Sequence, residues 1–416
     1  MRVLHVTPLY WPSLGGGEQV VHTLSERMVR DGHEVVIATT DAASVETFWN
    51  RRGPRVSERD GVLNGVRVVR VPIAPSPLGQ LGLFIMRGSA IRVFDPIRLT
   101  WLVRRIGAWM PHAPQFRSAL DNLSGSFDVI HGFNLSWESC LVDACEYARA
   151  MRWPYVMTPF MHTGEPGQPR VSRNYRMSHQ QAALRSSDRV IVQTQIEAQA
   201  IEAMGVDRSR LVEVGVGIEP ARISGGDPDR LRARSGVRGP LVVFIGRVTR
   251  DKGAITVVQV MQQLWANGVK VECAIAGTIL PDFDRFLRAQ PAMPCLHLLG
   301  PISDDDKRDL LAAADVVVMP SRAESFGIVY LEAWANGKPV IGARAGGAAE
   351  VISDGFDGYL VPFGDASSLA LRIKGLIADH ELAQQMGEAG RAKLLARYTQ
   401  DITYTKTMEV YRAVLK

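Results

Sequence analysis

Short, almost wholly apolar runs rich in β-branched residues alternate along this chain with stretches of helical pattern. That rhythm constrains the fold more than any other feature. RVLHVT (2–7), EVVIATT (34–40), VRVVRV (66–71), DVIHGF (128–133), YVMTPF (155–160) and RVIVQT (189–194) read as strands, the first followed by a Gly-rich turn and a helix from about Glu18 to Asp31. Strands without polar alternation are buried on both faces, which predicts a parallel sheet covered by helices. The same grammar restarts after the turn-rich segment GGDPDRLRARSGVRG (225–239), with LVVFIG (241–246), VECAIAG (271–277), CLHLLG (295–300), DVVVMP (315–320), KPVIGA (338–343) and GYLVP (358–362). Stop signals such as Asn336-Gly337 before Lys338-Pro339 separate the helices from the strands that follow. The expected fold class is therefore α/β, with two doubly wound, Rossmann-like domains joined around residues 205–225 and alike in grammar but not in residues.

A chain of 416 residues exceeds one ordinary core, in keeping with two domains. With 46% hydrophobic and 22% charged residues, the composition excludes a disordered or fibrous chain. No apolar run approaches the ~18 residues of a membrane span. The opening MRVLHVTPLYW, with one charge and a short β-branched run, reads as a first strand rather than a signal peptide. Cys140, Cys145, Cys273 and Cys295 show neither CxxC spacing nor a histidine-paired pattern, so they are expected to be small core residues in a reducing, cytoplasmic compartment.

The net charge of +5 is modest, and no nucleic-acid-binding module accompanies it, so no nucleic-acid partner is expected. Its distribution is uneven. Residues 72–118 interrupt the strand–helix rhythm and hold six arginines (Arg87, Arg92, Arg98, Arg104, Arg105, Arg117) against one acid, Asp95, interleaved with Leu, Ile, Phe and Trp. Such a stretch can lie on an anionic membrane surface, which would make the protein peripherally membrane-associated; the alternative is an inserted helical subdomain with a solvated basic face.

Ligands of open parallel sheets bind beyond the carboxyl ends of the strands, and two such sheets facing each other would form a cleft. Three strand-end loops carry chemistry. GRVTRDKG (246–253) places Arg247 and Lys252 between Gly246 and Gly253 at the start of a helix, where cations oppose the helix dipole unless an anion such as phosphate sits there. PSRAESFGIVYLEAWANGKPVIG (320–342) has Glu324 in a loop and Glu332 on the next helix, a span of ~12 Å at helical rise. Glu332, flanked by Leu331, Ala333 and Trp334, needs a hydroxyl or cation to offset its desolvation. SLGGGEQ (13–19) is a partial dinucleotide fingerprint: Gly15 and Gly17 fit, Val20 replaces the third glycine, and Asp41 stands where a ribose acid would, which keeps a nicotinamide-dehydrogenase reading open. Asp282-Phe283-Asp284 matches a D-x-D metal motif by spelling alone, and Ser303 followed by three aspartates reads as a capped helix start.

GRVTRDKG followed by ESFGIVYLEA, with its E-x₇-E spacing, resembles the family-4 retaining glycosyltransferases of the GT-B fold. So do GKPVIGARAGGAAEVISDGFDGYLVPFGD (337–365), with Gly346-Gly347 and Glu350, and the opening VTPLYWPSLGGGEQVV. The likeness spans nearly the whole chain, strongest over 240–365 and loosest over 42–118. It implies a GT-B arrangement with an acceptor-side domain over 1–215, a nucleotide-sugar domain over 216–397, and a terminal helix, 398–416, returning to the first domain.

The resemblance also implies residue roles. Arg247 and Lys252 would bind the donor diphosphate and stabilise the leaving group, with Gly246 beside them. Glu324 would contact donor-sugar hydroxyls, and Glu332 the nucleotide ribose. Backbone amides over Phe326, Gly327, Ile328 and Val329 would face sugar and phosphate. His162, in TPFMHTGE, would lie near the donor sugar, and Gly16 and Gly17 would line phosphate and acceptor. The implied reaction moves a sugar from a nucleotide-diphosphate donor, UDP- ahead of GDP-linked, to a hydroxyl of a glycan, lipid-linked or small-molecule acceptor, with neither metal nor cofactor. Gly217 in VGVGIEP stands where the family often has an acid, and YTQD replaces a frequent Trp near the terminal helix. The alternatives are a GT-B-like epimerase, a phosphorylase or a non-catalytic nucleotide-binding protein. A non-catalytic relative would be expected to have lost some of Arg247, Lys252, Glu324 and Glu332. His5, His33 and His131 are expected to be structural, with His131 the best candidate for a further role.

Overall fold

The structure is a computed structural model that describes every residue except Leu14, Pro75, Pro77, Leu78 and Pro169. Parts of the 13–19 loop and of the 72–118 segment therefore lie outside the described residues. The chain divides into two compact units, one of residues Met1–Met161, Ser172–Val214 and Tyr404–Lys416, the other of His162–Val171 and Gly215–Thr403.

The first unit contains β1 (Arg2–Val6), β2 (Glu34–Thr40), β3 (Asp60–Leu63), β4 (Val66–Val71), β5 (Val129–Phe133), β6 (Tyr155–Thr158), β7 (Arg189–Val192) and β8 (Leu211–Glu213) in the order β3-β4-β2-β1-β5-β6-β7-β8. Every pairing is parallel except β3 with β4. The central strands are buried almost throughout because helices cover both faces: Leu4 and Ile130 belong to one core cluster, Val3 and Val129 to the other.

The second unit contains β9 (Leu241–Ile245), β10 (Glu272–Ala276), β11 (Leu296–Gly300), β12 (Val316–Met319), β13 (Val340–Ala343) and β14 (Gly358–Val361) in the order β11-β10-β9-β12-β13-β14, all parallel. Its chain runs outward from β9 to β11 on one side, then returns beside β9 as β12 and runs outward on the other. The reversal between β9 and β12 is the point at which loops on adjacent strand ends leave in opposite directions and open a crevice.

Helix starts fall into two kinds. Thr194, Asp227, Ser303, Asp365 and Asp379 each accept a backbone N–H with a capping side chain. The helices Gly16–Arg30, Ala254–Ala266 and Ile328–Ala335 begin instead behind Gly15, Gly253 and Gly327, with no capping side chain. These three follow β1, β9 and β12, so each begins at a strand end without a capping side chain.

Two strands escape the sequence pattern, β3 and β8. Both are edge strands, of four and three residues, too short to carry a periodicity. The first helix begins at Gly16, before the expected Glu18, because Gly16 and Gly17 already form its first turn. Among the described residues no helix is long and apolar enough to cross a membrane. All four cysteines are free, and burial pushes the thiols of Cys145 and Cys273 up to about 11 and 12.

Candidate active site

At the β9/β12 reversal the two strand-end loops are stitched together. Arg322 N–H donates to Asp251 O at 3.1 Å and Ser321 Oγ donates to the same oxygen at 3.3 Å, while the Arg322 guanidinium pairs with the Asp251 carboxylate. Gly253 has φ +82°, and a Cβ there would stand 2.5 Å from Pro320 O, so only glycine lets the loops close. Lys252 reaches across: its Nζ donates to Ala323 O at 3.0 Å and pairs with the Glu324 carboxylate. Arg247 is exposed and forms no ion pair among the described residues.

Glu324 is seated by the Gly346-Gly347 turn. Gly347 N–H donates to Glu324 O at 3.1 Å, and Gly346, at φ +54°, approaches so closely that a Cβ would meet that oxygen at 2.2 Å. The Gly346 N–H donates in turn to Gly164 O at 2.8 Å, which brings the His162 segment to the same place. Burial, and then the nearby Lys252 cation, hold the His162 imidazole down at about 4; Glu324 opposes this and Arg247 adds to it. The ring is therefore neutral at pH 7.

The helix Ile328–Ala335 points its uncapped start at this place, behind Gly327 at φ +100°. Phe326 is buried edge-on against Tyr398, with ring centroids 5.2 Å apart, and the Tyr330 hydroxyl donates to Met319 O at 2.7 Å, tying the helix to the end of β12. One turn on, Glu332 is buried and pairs with Lys307 on the helix Asp304–Ala313. The second unit thus assembles His162, Arg247, Lys252, Glu324, Phe326, Gly327, Ile328, Val329 and Glu332, with Gly246 at the end of β9.

Gly16 and Gly17 belong to the first unit, where a Cβ on Gly17 would press on the Phe160 ring at 3.2 Å. Asp41 does not serve as a ribose acid: it accepts the Ile73 N–H at 3.0 Å and pairs with Arg55 at 2.9 Å. His5 and His131 share the Tyr411 hydroxyl, at 3.0 and 2.6 Å, while Ser25 and Thr158 occupy their other nitrogens. Burial lowers both imidazoles, His5 to about 3, so these are neutral core histidines. Asp282 accepts the Arg250 N–H at 2.7 Å and Asp284 pairs with Arg288, which separates the D-x-D acids. Gly217 is a packing glycine: a Cβ would stand 2.5 Å from Thr399 O, leaving no room for the acid common elsewhere.

Three residues of consequence gave no sequence signal. Lys307 hides at the end of an acidic helix start, and Asp251 looks like a surface acid. Glu197, at the start of the helix Gln195–Glu202, accepts the N–H groups of Met161 and Gln193, both at 2.6 Å, and so anchors the chain just before His162; burial pushes its carboxyl up to about 7.

Two units of this topology, one carrying paired cations, acids and an open helix start at its strand reversal, define a glycosyltransferase of the GT-B fold. The structure of Anabaena HepE in complex with UDP shares that fold, with a TM-score of 0.73 at 21% identity over 99% of this chain and 100% of that chain. The family described as "Glycosyl transferases group 1" matches residues 229–393, and "Glycosyl transferase 4-like domain" matches residues 15–217. The chain belongs to these family-4-like glycosyltransferases. Among its relatives are a D-inositol 3-phosphate glycosyltransferase of Xylanimonas cellulosilytica, 27% identical over 100% of this chain and 96% of the relative, and a glycogen synthase of Mycobacterium tuberculosis, 25% identical over 99% and 95%. It is an enzyme of glycosyl transfer.

Proposed function

We propose that the protein is a retaining glycosyltransferase that takes its sugar from a UDP-sugar and gives it to a hydroxyl of a glycan, lipid-linked or small-molecule acceptor without a metal ion. The observation that carries this reading is the convergence of Arg247, Lys252, Glu324 and the uncapped Ile328 helix start at one strand reversal. As the bond from the anomeric carbon to the β-phosphate oxygen breaks, negative charge grows on the diphosphate and positive character on the sugar. Arg247, Lys252 and the N–H groups of residues 326–329 supply preorganised positive potential for that leaving group. The acceptor oxygen bonds to the same face of the anomeric carbon, and its proton passes to the departing phosphate oxygen.

Glu324 is not assigned as a nucleophile. With Lys252 on its carboxylate, it suits the role of accepting hydrogen bonds from sugar hydroxyls. Glu332, one helical turn further along and paired with Lys307, is assigned to the ribose hydroxyls, and Gly16 and Gly17 are assigned to the acceptor-bearing first unit. His162, held neutral, donates to or accepts from the sugar rather than adding a charge. A uridine base is favoured by Anabaena HepE, a relative in fold solved with UDP and with UDP-glucose. The proposed compartment is the cytoplasm, which the four free cysteines favour.

Incubation with UDP-, GDP- and ADP-sugars and a hydroxyl-acceptor panel tests the reading. The expected result is release of UDP, undiminished by EDTA, with a product whose anomeric configuration by NMR matches the donor's. Failure to bind or turn over any nucleotide sugar refutes the site assignment, and an inverted product refutes retention.

A further inference from the structure

The first unit carries a surface that holds none of the residues assigned to the donor site. Of the large apolar side chains the molecule leaves exposed, Leu81, Phe84, Ile85, Val93, Ile97 and Trp101 fall within a single short segment, with Leu81 74%, Trp101 65% and Ile97 61% exposed. Their spacing makes this a face. On the helix Gly79–Ser89, Leu81, Phe84 and Ile85 stand at i, i+3 and i+4 and point outward, while Leu83 and Arg87 are buried on the opposite side. On the helix Thr100–Gly107, the outward positions are Trp101, Arg104 and Arg105, while Val103 and Gly107 are buried. The segment is fixed from beneath by a small core of Ala90, Val103 and Met177, so the exposed stripe belongs to a packed element.

The sequence suggests a basic face of six arginines, and the structure revises it. Arg87 is buried in an ion pair with Glu138 at 3.0 Å, and Arg117 pairs with Asp121 at 3.0 Å beside Tyr147. Arg92, Arg98, Arg104 and Arg105 remain on the surface, Arg104 in an ion pair with Glu146, and two arginines from a distant stretch of sequence join them. Arg173 and Arg176, with Arg92, Asp95, Pro96 and Met177, line a cavity of about 430 Å³ next to the apolar stripe. None of these three arginines is ion-paired among the described residues. The one acid in the cavity is already engaged, since Asp95 accepts the Ser178 N–H at 3.1 Å. Three guanidinium groups facing one committed carboxylate leave a net positive cavity suited to a phosphate group.

We propose that this face is a docking surface for an anionic phospholipid bilayer. Leu81, Phe84, Ile85, Val93, Ile97 and Trp101 enter the headgroup–acyl boundary, and a lipid phosphate is held by Arg92, Arg173 and Arg176. Apolar side chains flanked by arginines match the layering of that boundary, where alkyl stems and rings sit below and guanidinium groups sit at the phosphates. The inference is independent of the donor chemistry: a chain that binds anionic vesicles but transfers no sugar upholds it.

The test is sedimentation of the full chain with vesicles of phosphatidylcholine alone and of phosphatidylcholine with one-third phosphatidylglycerol. Binding to the anionic vesicles only, weakened by salt, is expected. Arg173→Ala and Arg176→Ala should each lower the partition coefficient by about fivefold, and Ile97→Ser with Trp101→Ser should lower it further at unchanged thermal stability. A parental Tm and far-UV circular dichroism spectrum, preserved in every variant, confirm that loss of binding is not loss of fold. Absence of vesicle binding, equal binding to both vesicles, or an arginine double variant that binds as the parent does would each overturn the proposal. Concentration-dependent dimerisation without vesicle binding would assign the face to a second copy of the chain and overturn it as well.

Discussion

Two nearly buried acid–base clusters, one in each unit, look alike until their remaining valences are compared. In the first unit Glu138 lies wholly out of solvent between the Arg87 guanidinium at 3.0 Å and His179 Nε2 at 3.2 Å, and Arg87 uses its other terminal nitrogen on Asn174 O at 2.9 Å. Arg87 lies on the helix Gly79–Ser89, His179 on the helix Ser178–Ser186, and Glu138 in the connection after β5, directly before the helix Ser139–Met151. In the second unit Lys252 and Glu324 meet at the β9/β12 reversal, between glycines that hold the loops close, with Arg247 exposed beside them and an open helix start nearby. The first cluster spends the Arg87 terminal nitrogens and the Glu138 carboxylate on the fold itself, with His179 Nδ1 buried and without a hydrogen-bond partner among the described residues. The second retains capacity for a ligand. Burial and charge pairing are shared, so what separates the structural pair from the one proposed to hold the donor is what the backbone leaves open around it.

The contrast can be broken by mutation. Lys252→Ala should lower kcat/KM for transfer by about 10²–10³-fold, the loss typical of removing one preorganised donor to a developing anion, with a smaller fall in Tm than Arg87→Ala. Arg87→Ala strands the buried Glu138 carboxylate and should cost about 3–5 kcal/mol of stability, read by denaturant unfolding. If Arg87→Ala proves mild and Lys252→Ala unfolds the chain, the assignment of the two clusters is reversed. Gly346→Ala introduces a Cβ against Glu324 O at a positive φ and should cost roughly 1–3 kcal/mol, with a loss of donor binding by calorimetry that Gly355→Ala, at a site with open space, does not share.

Smaller effects sharpen the same comparison. Lys307→Met removes the cation that orients Glu332 and should raise the donor KM about tenfold, leaving kcat nearly unchanged. The last concerns pH. The folded His162 takes up its proton near 4, whereas the unfolded chain does so near the ordinary histidine value of 6.5. Its contribution to stability is therefore whole above about 6.5 and drains away as pH falls toward 4. An NMR titration of His162 should show a midpoint near 4 that moves upward in Lys252→Ala; a midpoint at 6.5 in the parent would place the imidazole outside this cluster.

Much of this was legible in the sequence for physical reasons. Central strands such as EVVIATT and LVVFIG announce themselves because burial on both faces demands nearly unbroken apolar runs, and they coincide with β2 and, up to its last glycine, β9. The cations and acids of the second unit were legible because a strand end followed by glycine and charge is an unusual local combination. Edge strands β3 and β8 were not, since each has only one neighbour and needs little pattern. Lys307, Glu197 and Arg173 were not either: each matters through a partner far away in sequence, and nothing adjacent to it in the chain marks that partner.

The buried Tyr411 hydroxyl, which joins His5 on β1 to His131 on β5, carries a consequence for how the molecule is made. A ribosome synthesises residues 404–416 only after the whole second unit has emerged. The two histidines at the centre of the first sheet must wait through 406 and 280 further residues for their shared hydrogen-bonding partner. The first unit is begun first and completed last. A cut between the units at Val214 and Gly215 would not yield two independent halves: the leading fragment would lack a core side chain, and the trailing one would carry it to no purpose.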